Sequence, residues 1–391
     1  MFHEIILSIM ATIVFSGSAL AGLNIRIYNP GANAVFPVTS TLVYGDKDAV
    51  LIDAQFQKKY VLELITEIKA TGKNLKTIYI SHSDPDFYFG LDELKKAFPG
   101  TAIVSTAQTA YLIEASKDQK LAVWGPQLKE DAPSEIIVPK AIAELPLLEG
   151  HKLEIIQSKE DPAHSFVWIP SIRTIVGGIS VGEGAHLWMA DTKNYKALDL
   201  WMAQINKMKS LQPQKVIPSH FTKLDESPEV LDFVENYLKD YKNAALSGSN
   251  GEDLANKMMA KYPQLPGKES LEMGAKVFKG EMQWDLKSPY PAIGNHVLVN
   301  FGGGFVFDLN YPDNKQMRFT GKSESTKNLS ELVDYTAVEV SPNVFMVYWT
   351  ETSTKTNVVH VQNWNTGEVY TNIAHPDGSF DHFKGTMKLA D

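Results

Sequence analysis

The alternation of apolar and polar positions divides the chain into a part with mixed periodicity and a strand-rich C-terminal part. Residues 24–53 contain short β-like runs, "LNIRIYNP" and "STLVYGDKDAVLIDA", and "GDKD" indicates a turn within the second. Apolar residues recur at helical spacing over 57–71, and the nearly all-apolar "LKTIYIS" that follows predicts a strand buried on both faces. This order of elements favours a layered α/β domain.

Strand-like and helix-like segments continue to alternate up to about residue 225. Helices are predicted near 106–115 and 193–210, and strands at "TAIVST", "EIIVPKAI", "HKLEIIQS", "SFVWIPSIRTIVGG" and "KVIPSH". Residues 227–286 have helical periodicity and predict a connector that packs on a neighbouring domain. The last hundred residues contain short strand-like runs separated by turns such as "NTGE" and "HPDGS", which predict an antiparallel barrel or sandwich.

Composition narrows the classes of function. The chain has 391 residues, is 44% hydrophobic and 21% charged, and carries a formal net charge of -9 without any long basic run. Because phosphate binding needs clustered Lys and Arg, we expect no nucleic-acid partner. Cysteine is absent, so disulfides are excluded and any metal ion must be held by His, Asp or Glu.

The N-terminus predicts export. "IILSIMATIVFSGSALAG" is an apolar run followed by small residues, with a cleavage site expected after Ala21, although "MFHE" before it lacks Lys and Arg. A membrane anchor is the alternative, but the run is short and interrupted by Ser and Gly. We therefore expect a signal peptide at 1–21, a periplasmic or secreted mature protein, and no stable membrane span after cleavage.

The segment with the clearest chemistry is "SHSDPDFYFG", residues 81–90, which we call the motif loop. His82 and Asp84 are two apart directly after a predicted buried strand, and Asp86 follows Pro85. Residues two apart in an extended loop direct their side chains to one ion, and imidazole with carboxylate suits zinc, iron or manganese. The alternative for Asp84 and Asp86 is turn formation and capping of the next helix.

The motif loop resembles the signature of the metallo-β-lactamase superfamily, H-x-H-x-D-H followed by x-x-G. Aligned on Gly90, the first His of that signature falls on His82 and its Asp on Asp86. The second His falls on Asp84 and the third on Phe87. The resemblance implies that two ligands are kept, one becomes a carboxylate and one is lost.

Other positions of the family pattern follow downstream. The resemblance places the next ligand histidine at His164 in "DPAHSF" and the last at His220 in "VIPSHF". Ile179, after the glycines of "IVGGIS", stands where the family has a metal-bridging Asp. Asp53 matches a structural carboxylate, and His186, in an H-x-W pattern, is expected to line the pocket wall or pack and not to be a ligand. The histidines without motif support, expected to be structural, are His151, His296, His360, His375 and His382.

The resemblance implies a single-ion site. Its first ion would be held by His82, Asp84 and His164, a two-His, one-carboxylate set that leaves positions open for water. The expected cofactor is a divalent metal, zinc first, with iron or manganese as alternatives. One ion per chain is favoured over two because Phe87 and Ile179 provide no donor for a second.

Asp86 and His220 remain on the side of the second ion. They are candidate ligands, and without a second ion they are also the candidate catalytic residues. Asp86 is expected to orient a water or accept its proton, and His220 to bind the metal, protonate a leaving group or contact the substrate.

The C-terminal segment is similar to MoaF-like, lipocalin-related (calycin) barrels. The resemblance rests on the W-x-E at Trp349 and Glu351 and on "VVHVQNW" leading into "GEVYTNI" and "PDGSF". Small barrels of this kind enclose one ligand or fill their interior with side chains, and strand alternation favours the filled interior. The aromatic residues that would line such a cavity or fill such a core are Phe305, Phe307, Tyr348, Trp349 and Trp364.

The predicted fold class is a layered α+β protein: a metallo-β-lactamase αββα sandwich, a helical connector and a small antiparallel β-barrel. The predicted boundaries are a signal peptide at 1–21, the metallo-β-lactamase-like domain at 22–226, the connector at 227–286 and the MoaF-like barrel at 287–391.

The predicted function is metal-dependent hydrolysis of a small organic ester, lactone or amide by a metal-activated water. The alternative is a non-catalytic exported ligand-binding protein with a degenerate metal site, and a third hypothesis is iron-dependent redox chemistry. The expected partner is a small-molecule substrate, and a homodimer is left open.

Overall fold

The computed structural model describes residues 22–284 and 287–390. The predicted signal peptide therefore lies outside the described residues. Within the described ranges, no helix has both the length and the apolar character needed to cross a membrane.

Two sheets form the centre of the N-terminal domain. In the first, strands follow chain order, antiparallel for the first three and parallel thereafter. Its strands are β1 (Asn24–Tyr28), β2 (Ser40–Tyr44), β3 (Asp48–Ile52), β4 (Asn74–Ile80), β5 (Ala102–Ser105) and β6 (Lys140–Ala141). The second sheet has the order β11-β9-β8-β7, and β10 pairs separately with β12. These strands are β7 (Glu154–Gln157), β8 (Ser165–Ile169), β9 (Thr174–Val176), β10 (Gly182–Glu183), β11 (Lys215–Val216) and β12 (His220–Phe221).

Helices cover the outer face of each sheet. On the first sheet lie α1 (Lys58–Ala70), α2 (Pro85–Tyr88), α3 (Leu91–Ala97) and α4 (Ala107–Leu128). On the second lie α5 (Tyr195–Ser210), α6 (Val230–Ser247), α7 (Gly251–Lys261) and α8 (Lys268–Phe278). Short 3-10 turns occupy Lys129–Asp131 and Pro170–Ile172.

The alternation of side chains along the central strands explains the layers. In β3, Val50 and Ile52 join the core between the two sheets, whereas Leu51 packs toward the helices of the first sheet. In β8, Val167 faces the same inter-sheet core and Trp168 packs under α5 and α6. Both strands are thus buried on both faces, as their apolar sequences require. The result is an αββα sandwich.

The C-terminal part is a closed barrel of eight antiparallel strands, each paired with its chain neighbours, and β13 closes on β20. Its strands are β13 (His296–Asn300), β14 (Val306–Asn310), β15 (Gln316–Gly321), β16 (Ser330–Ser341), β17 (Val344–Thr350), β18 (Asn357–Asn363), β19 (Glu368–Ala374) and β20 (Phe380–Leu389). The strand pattern of the sequence was compatible with a barrel or a sandwich, and the predicted barrel is confirmed.

The barrel interior is a packed apolar core. Trp349 belongs to this core, and Phe307 and Trp364 pack against it. Phe305 and Tyr348, in contrast, are exposed on the outside. The expectation that all five aromatic residues line one interior was therefore wrong for these two, because both lie outside the buried core.

Two segments depart from the predicted elements. The helix expected at 106–115 continues to Leu128, through a polar stretch that obscures its periodicity. Of "EIIVPKAI", only Lys140–Ala141 pairs as a strand. The helices of 227–286 pack with α5 on the second sheet.

Candidate functional site

The motif loop is fixed by local backbone constraints. It leaves the buried end of β4, and Pro85 begins the single turn of α2. Proline disfavours helical backbone in the residue before it, and Asp84 is extended, with φ -75° and ψ 145°. At the far end, a Cβ on Gly90 would lie 2.1 Å from the carbonyl oxygen of Ala54, so only glycine fits there.

Asp53 supports the loop from below. Ser81 donates to the Asp53 carboxylate from its backbone N–H, at 2.8 Å, and from its hydroxyl, at 2.7 Å. The hydroxyl of Ser81 accepts in turn from the N–H of Gly178, at 2.7 Å. Burial raises the pKa of Asp53 to about 7, against the effect of the two Ser81 hydrogen bonds. Asp53 therefore fixes the start of the motif loop from beneath it, as a structural carboxylate.

His82 and Asp84 lie side by side at the centre of the site. His82 Nε2 is 3.4 Å from Asp84 Oδ2. Asp84 Oδ1 is 3.2 Å from the ammonium of Lys120, on α4, which also donates to the carbonyl of Ser83 at 2.6 Å. Burial opposes ionisation of Asp84, but the charges of Lys120 and His82 outweigh it and lower its pKa.

His164 completes this side of the site. Its ring stacks on that of His82, with centroids 5.3 Å apart and planes at 17°. Its Nδ1 lies 2.7 Å from Asp161 Oδ1, and because a carboxylate only accepts, the Nδ1 carries the proton. Although burial lowers the pKa of His164, the hydrogen bond and charge of Asp161 raise it overall.

Asp86 and His220 form a separate pair. His220 Nε2 lies 2.8 Å from Asp86 Oδ2, and its Nδ1 is 3.2 Å from the hydroxyl of Ser219. Phe87 separates this pair from His82, edge-on to both imidazoles at 5.3 and 5.7 Å between centroids. Ser219 is buried and donates to the carbonyl of Val181 at 3.0 Å, so its hydroxyl is not placed as a nucleophile.

Asp191 is a site residue that the sequence analysis did not single out. Trp188 and Trp284 donate their indole N–H groups to its two oxygens, at 2.8 and 2.7 Å. Burial and the charge of Asp84 raise its pKa to about 6, against these two hydrogen bonds. Its sequence signal was the continuation of "HLWMADT" beyond the Trp, and Lys120 had no local signal at all.

The other expected positions lie as follows. Ile179 is partly buried against the helices of the first sheet and offers no donor. His186 is buried with Nδ1 2.9 Å from the hydroxyl of Tyr237 on α6. His296 and His360 belong to the barrel, the first exposed and the second buried.

The residues on the His82 side suit one divalent ion in their chemistry. Asp161 accepts the hydrogen bond of the protonated Nδ1 of His164 and leaves the lone pair of Nε2 to bind a metal ion. Metal-binding imidazoles are commonly oriented in this way. The buried Nδ1 of His82 has no hydrogen-bond partner among the described residues, so one ring nitrogen of His82 is available for a further interaction. Nevertheless, nowhere in 22–284 or 287–390 are three His, Asp or Glu donors already arranged around one point. Binding of an ion thus requires His82, Asp84 and His164 to converge.

The side of the expected second ion does not suit a metal. Asp86 and His220 satisfy each other, and Phe87 and Ile179 contribute only apolar surface. The two positions at which the family pattern loses a ligand, Phe87 and Ile179, therefore both lie on the side of the expected second ion.

Comparison with known families identifies both parts of the chain. The family model of the metallo-β-lactamase superfamily matches residues 33–184. The N-terminal domain has the metallo-β-lactamase fold. The MoaF-like family model matches residues 293–388, which include most of the barrel. The metallo-β-lactamase match ends before Asp191 and His220, so their placement is known from the structure alone.

Individual relatives are distant. The chain is 25% identical over 160 residues to an uncharacterized protein, YobT, of Bacillus subtilis (strain 168), a match that covers 39% of this chain and 64% of YobT. The chain thus spans less than two thirds of that relative. Similar solved structures include a metallo-β-lactamase from Pontibacter korlensis, with 20% identity, a TM-score of 0.41 and coverage of 56% of this chain and 95% of that one. The DIM-1 metallo-β-lactamase has 16% identity, a TM-score of 0.38 and coverage of 55% and 93%.

Members of the metallo-β-lactamase superfamily are usually hydrolases and typically bind divalent metals such as zinc. Fold alone does not define a reaction, so the function of this chain has to be argued from its own site.

Proposed function

We propose that the protein is a metal-dependent hydrolase of small organic esters, lactones or amides. One ion, zinc first, would be held by His82, Asp84 and His164. The observation that carries the proposal is the adjacency of these three side chains in a domain with the metallo-β-lactamase fold, with the third oriented by Asp161. When bound, the ion would supply Lewis-acid polarisation of the scissile carbonyl and a lower pKa for water.

The proton chemistry is assigned to the Asp86–His220 pair. His220 is partly exposed, with about 30% of its side chain accessible, so a substrate can reach it, whereas Asp86 is buried behind it. Asp86 holds the proton at His220 Nε2 through their 2.8 Å contact. With Nε2 protonated toward Asp86, Nδ1 of His220 is the ring nitrogen that would take a proton from the attacking water and return it to the leaving group.

The aromatic surroundings of the site support the proposal of a small organic substrate. The Trp188–Trp284 pair beside Asp191 places partly exposed aromatic surface near the polar groups. Ligand sites of this kind are apolar with few directed polar groups, which suits a small organic molecule.

Metal analysis combined with activity tests this proposal. Purified full-length protein should contain about one ion per chain, and His82→Ala should lose it together with hydrolysis of an ester and lactone panel. His296→Ala, which removes an exposed histidine of the barrel, should keep both. Absence of turnover after addition of Zn²⁺, Mn²⁺ or Fe²⁺ would contradict the enzyme proposal.

The pairing of Asp84 with Lys120 favours a second candidate function, a non-catalytic ligand-binding protein with a degenerate site. In that case wild type and His82→Ala would be equally free of metal and inactive. Export to the periplasm or medium is proposed from the sequence of residues 1–21 alone, and cell fractionation tests it.

A further inference from the structure

Lys120 is a cation within the candidate site. It comes from the second half of α4, 36 positions after Asp84 in sequence, and its ammonium contacts two consecutive residues of the motif loop. About a fifth of each side chain of the Lys120–Asp84 pair is exposed, so solvent screens this pair less than a surface pair. By comparison, Lys117 on the same helix pairs with Glu114, of whose side chain more than half is exposed.

The charges around Lys120 explain its position. Asp84 feels the charge of Asp191, and Asp161 lies beside the stacked His164. Carboxylates brought together away from water destabilise one another unless a cation compensates them. The ammonium at 3.2 Å from Asp84 Oδ1 supplies such compensation from within the chain.

A divalent ion would bring its charge to the same carboxylate. Two cations that share one partly buried carboxylate repel each other, so ion binding at Asp84 weakens or breaks the Lys120 contact. Removing Lys120 would take away the nearest full positive charge from Asp84 and increase the attraction of the carboxylate for the ion.

We infer that Lys120 is a tethered counter-cation that neutralises Asp84 in the metal-free protein and competes with the divalent ion for it. This inference rests on the proposed function only in taking Asp84 as a ligand of the ion. Lys120 therefore sets the metal affinity: it stabilises the ion-free protein and raises the ion concentration needed to fill the site.

Zn²⁺ titration of metal-stripped, full-length protein by isothermal calorimetry tests the inference. Lys120→Met should bind Zn²⁺ about tenfold more tightly than wild type or more, and Lys120→Arg, which keeps the charge, should stay close to wild type. Lys117→Met is the matched control on the same helix and should not change the affinity.

Thermal stability gives a second readout, independent of catalysis. In EDTA, the Tm of Lys120→Met should fall by about 2 °C or more relative to wild type, and saturating Zn²⁺ should raise its Tm more than that of wild type. The double variant Lys120→Met/Asp84→Asn removes both charges. It should recover stability in EDTA and lose the gain in Zn²⁺ affinity.

Several outcomes would overturn the inference: Zn²⁺ affinity in Lys120→Met equal to or weaker than in wild type, binding in neither protein, or a gain that persists in the double variant. If Lys120→Met does not fold, Lys120→Gln replaces it with the same expectations. Zn²⁺ affinity that changes as expected in a protein without hydrolytic activity would contradict the proposed function and leave the inference intact.

Discussion

At the residue scale, the motif loop depends on positions outside the proposed ligand set. A Cβ on Gly90 would meet both the carbonyl of Ala54 and, at 2.4 Å, a methyl group of Val61 on α1. The glycine thus lets the loop pack directly on the backbone that follows β3. Its place in the superfamily signature has a steric cause in this chain.

Gly90→Ala should lower the free energy of unfolding by about 1–3 kcal/mol, because the methyl group overpacks a backbone contact that has no room to move. Gly100→Ala is the control, since a Cβ there meets nothing within 4 Å. Urea denaturation measures both, and equal stabilities of the two variants would contradict the steric explanation.

Asp53 predicts a pH dependence of stability. An unfolded Asp ionises near pH 4, whereas burial raises the pKa of folded Asp53 to about 7. Between these values the folded state binds a proton that the unfolded state lacks, so this contribution to stability falls as pH rises through the window.

Asp53→Asn removes this titration. From pH 5 to pH 7, the unfolding free energy of the variant relative to wild type should therefore rise, by about 2 kcal/mol. Denaturation curves at several pH values measure the difference. Parallel pH profiles for the two proteins would show that Asp53 does not titrate in this range.

The sequence predicts those residues of the site that lie in local motifs and misses those that only the fold brings to it. His82, Asp84, Asp86, His164 and His220 follow from local motifs, and their assigned roles stay predictions. Lys120 lacked a local signal because only the fold brings the second half of α4 to the motif loop.

At the element scale, α4 connects the N-terminal domain with the barrel. Its first turns carry Tyr111, whose ring lies 6.1 Å from Tyr290 and 6.5 Å from Phe345 of β17. Gln108 donates to the carbonyl of Tyr290 at 2.5 Å. The same helix thus packs on the barrel at one end and extends Lys120 to the site further along.

Tyr111→Ala should destabilise the protein by about 3 kcal/mol, because it removes a buried ring from the core shared with the barrel. Val123→Ala, at an exposed position of α4, should stay within about 0.5 kcal/mol of wild type. Chemical denaturation compares them, and an equally small effect of both would show that this contact contributes little.

The elements were predictable where their apolar periodicity was strong. The sandwich strands, α1, α5 and the barrel strands follow it, whereas the middle of α4 does not. The residues "SKDQK" in the middle of α4 are mostly polar, since most of this stretch faces solvent and the site. Periodicity reports burial, and a segment that buries little gives a weak signal.

At the scale of the whole molecule, the barrel has no open edge because β13 pairs with both β14 and β20. Unpaired strand edges favour association with other chains, and closure removes them. The last strand, β20, completes the closure by pairing with both β13 and β19.

Deletion of 376–391 removes β20 and leaves the edges of β13 and β19 unpaired. We expect this truncated protein to form oligomers or aggregates in size-exclusion chromatography, whereas removal of Asp391 alone should not change the elution volume. A monodisperse truncated protein at the wild-type position would contradict the importance of closure.

The hydrogen bond from Trp284 to Asp191 has a consequence for how such a protein is assembled in evolution. Trp284 lies after α8, one hundred residues beyond the end of the metallo-β-lactamase family match at residue 184. A gene fusion that exchanged the barrel would preserve the surroundings of Asp191 only if its junction fell after Trp284. A unit that carries the whole site would therefore include α6, α7 and α8 and extend at least to Trp284.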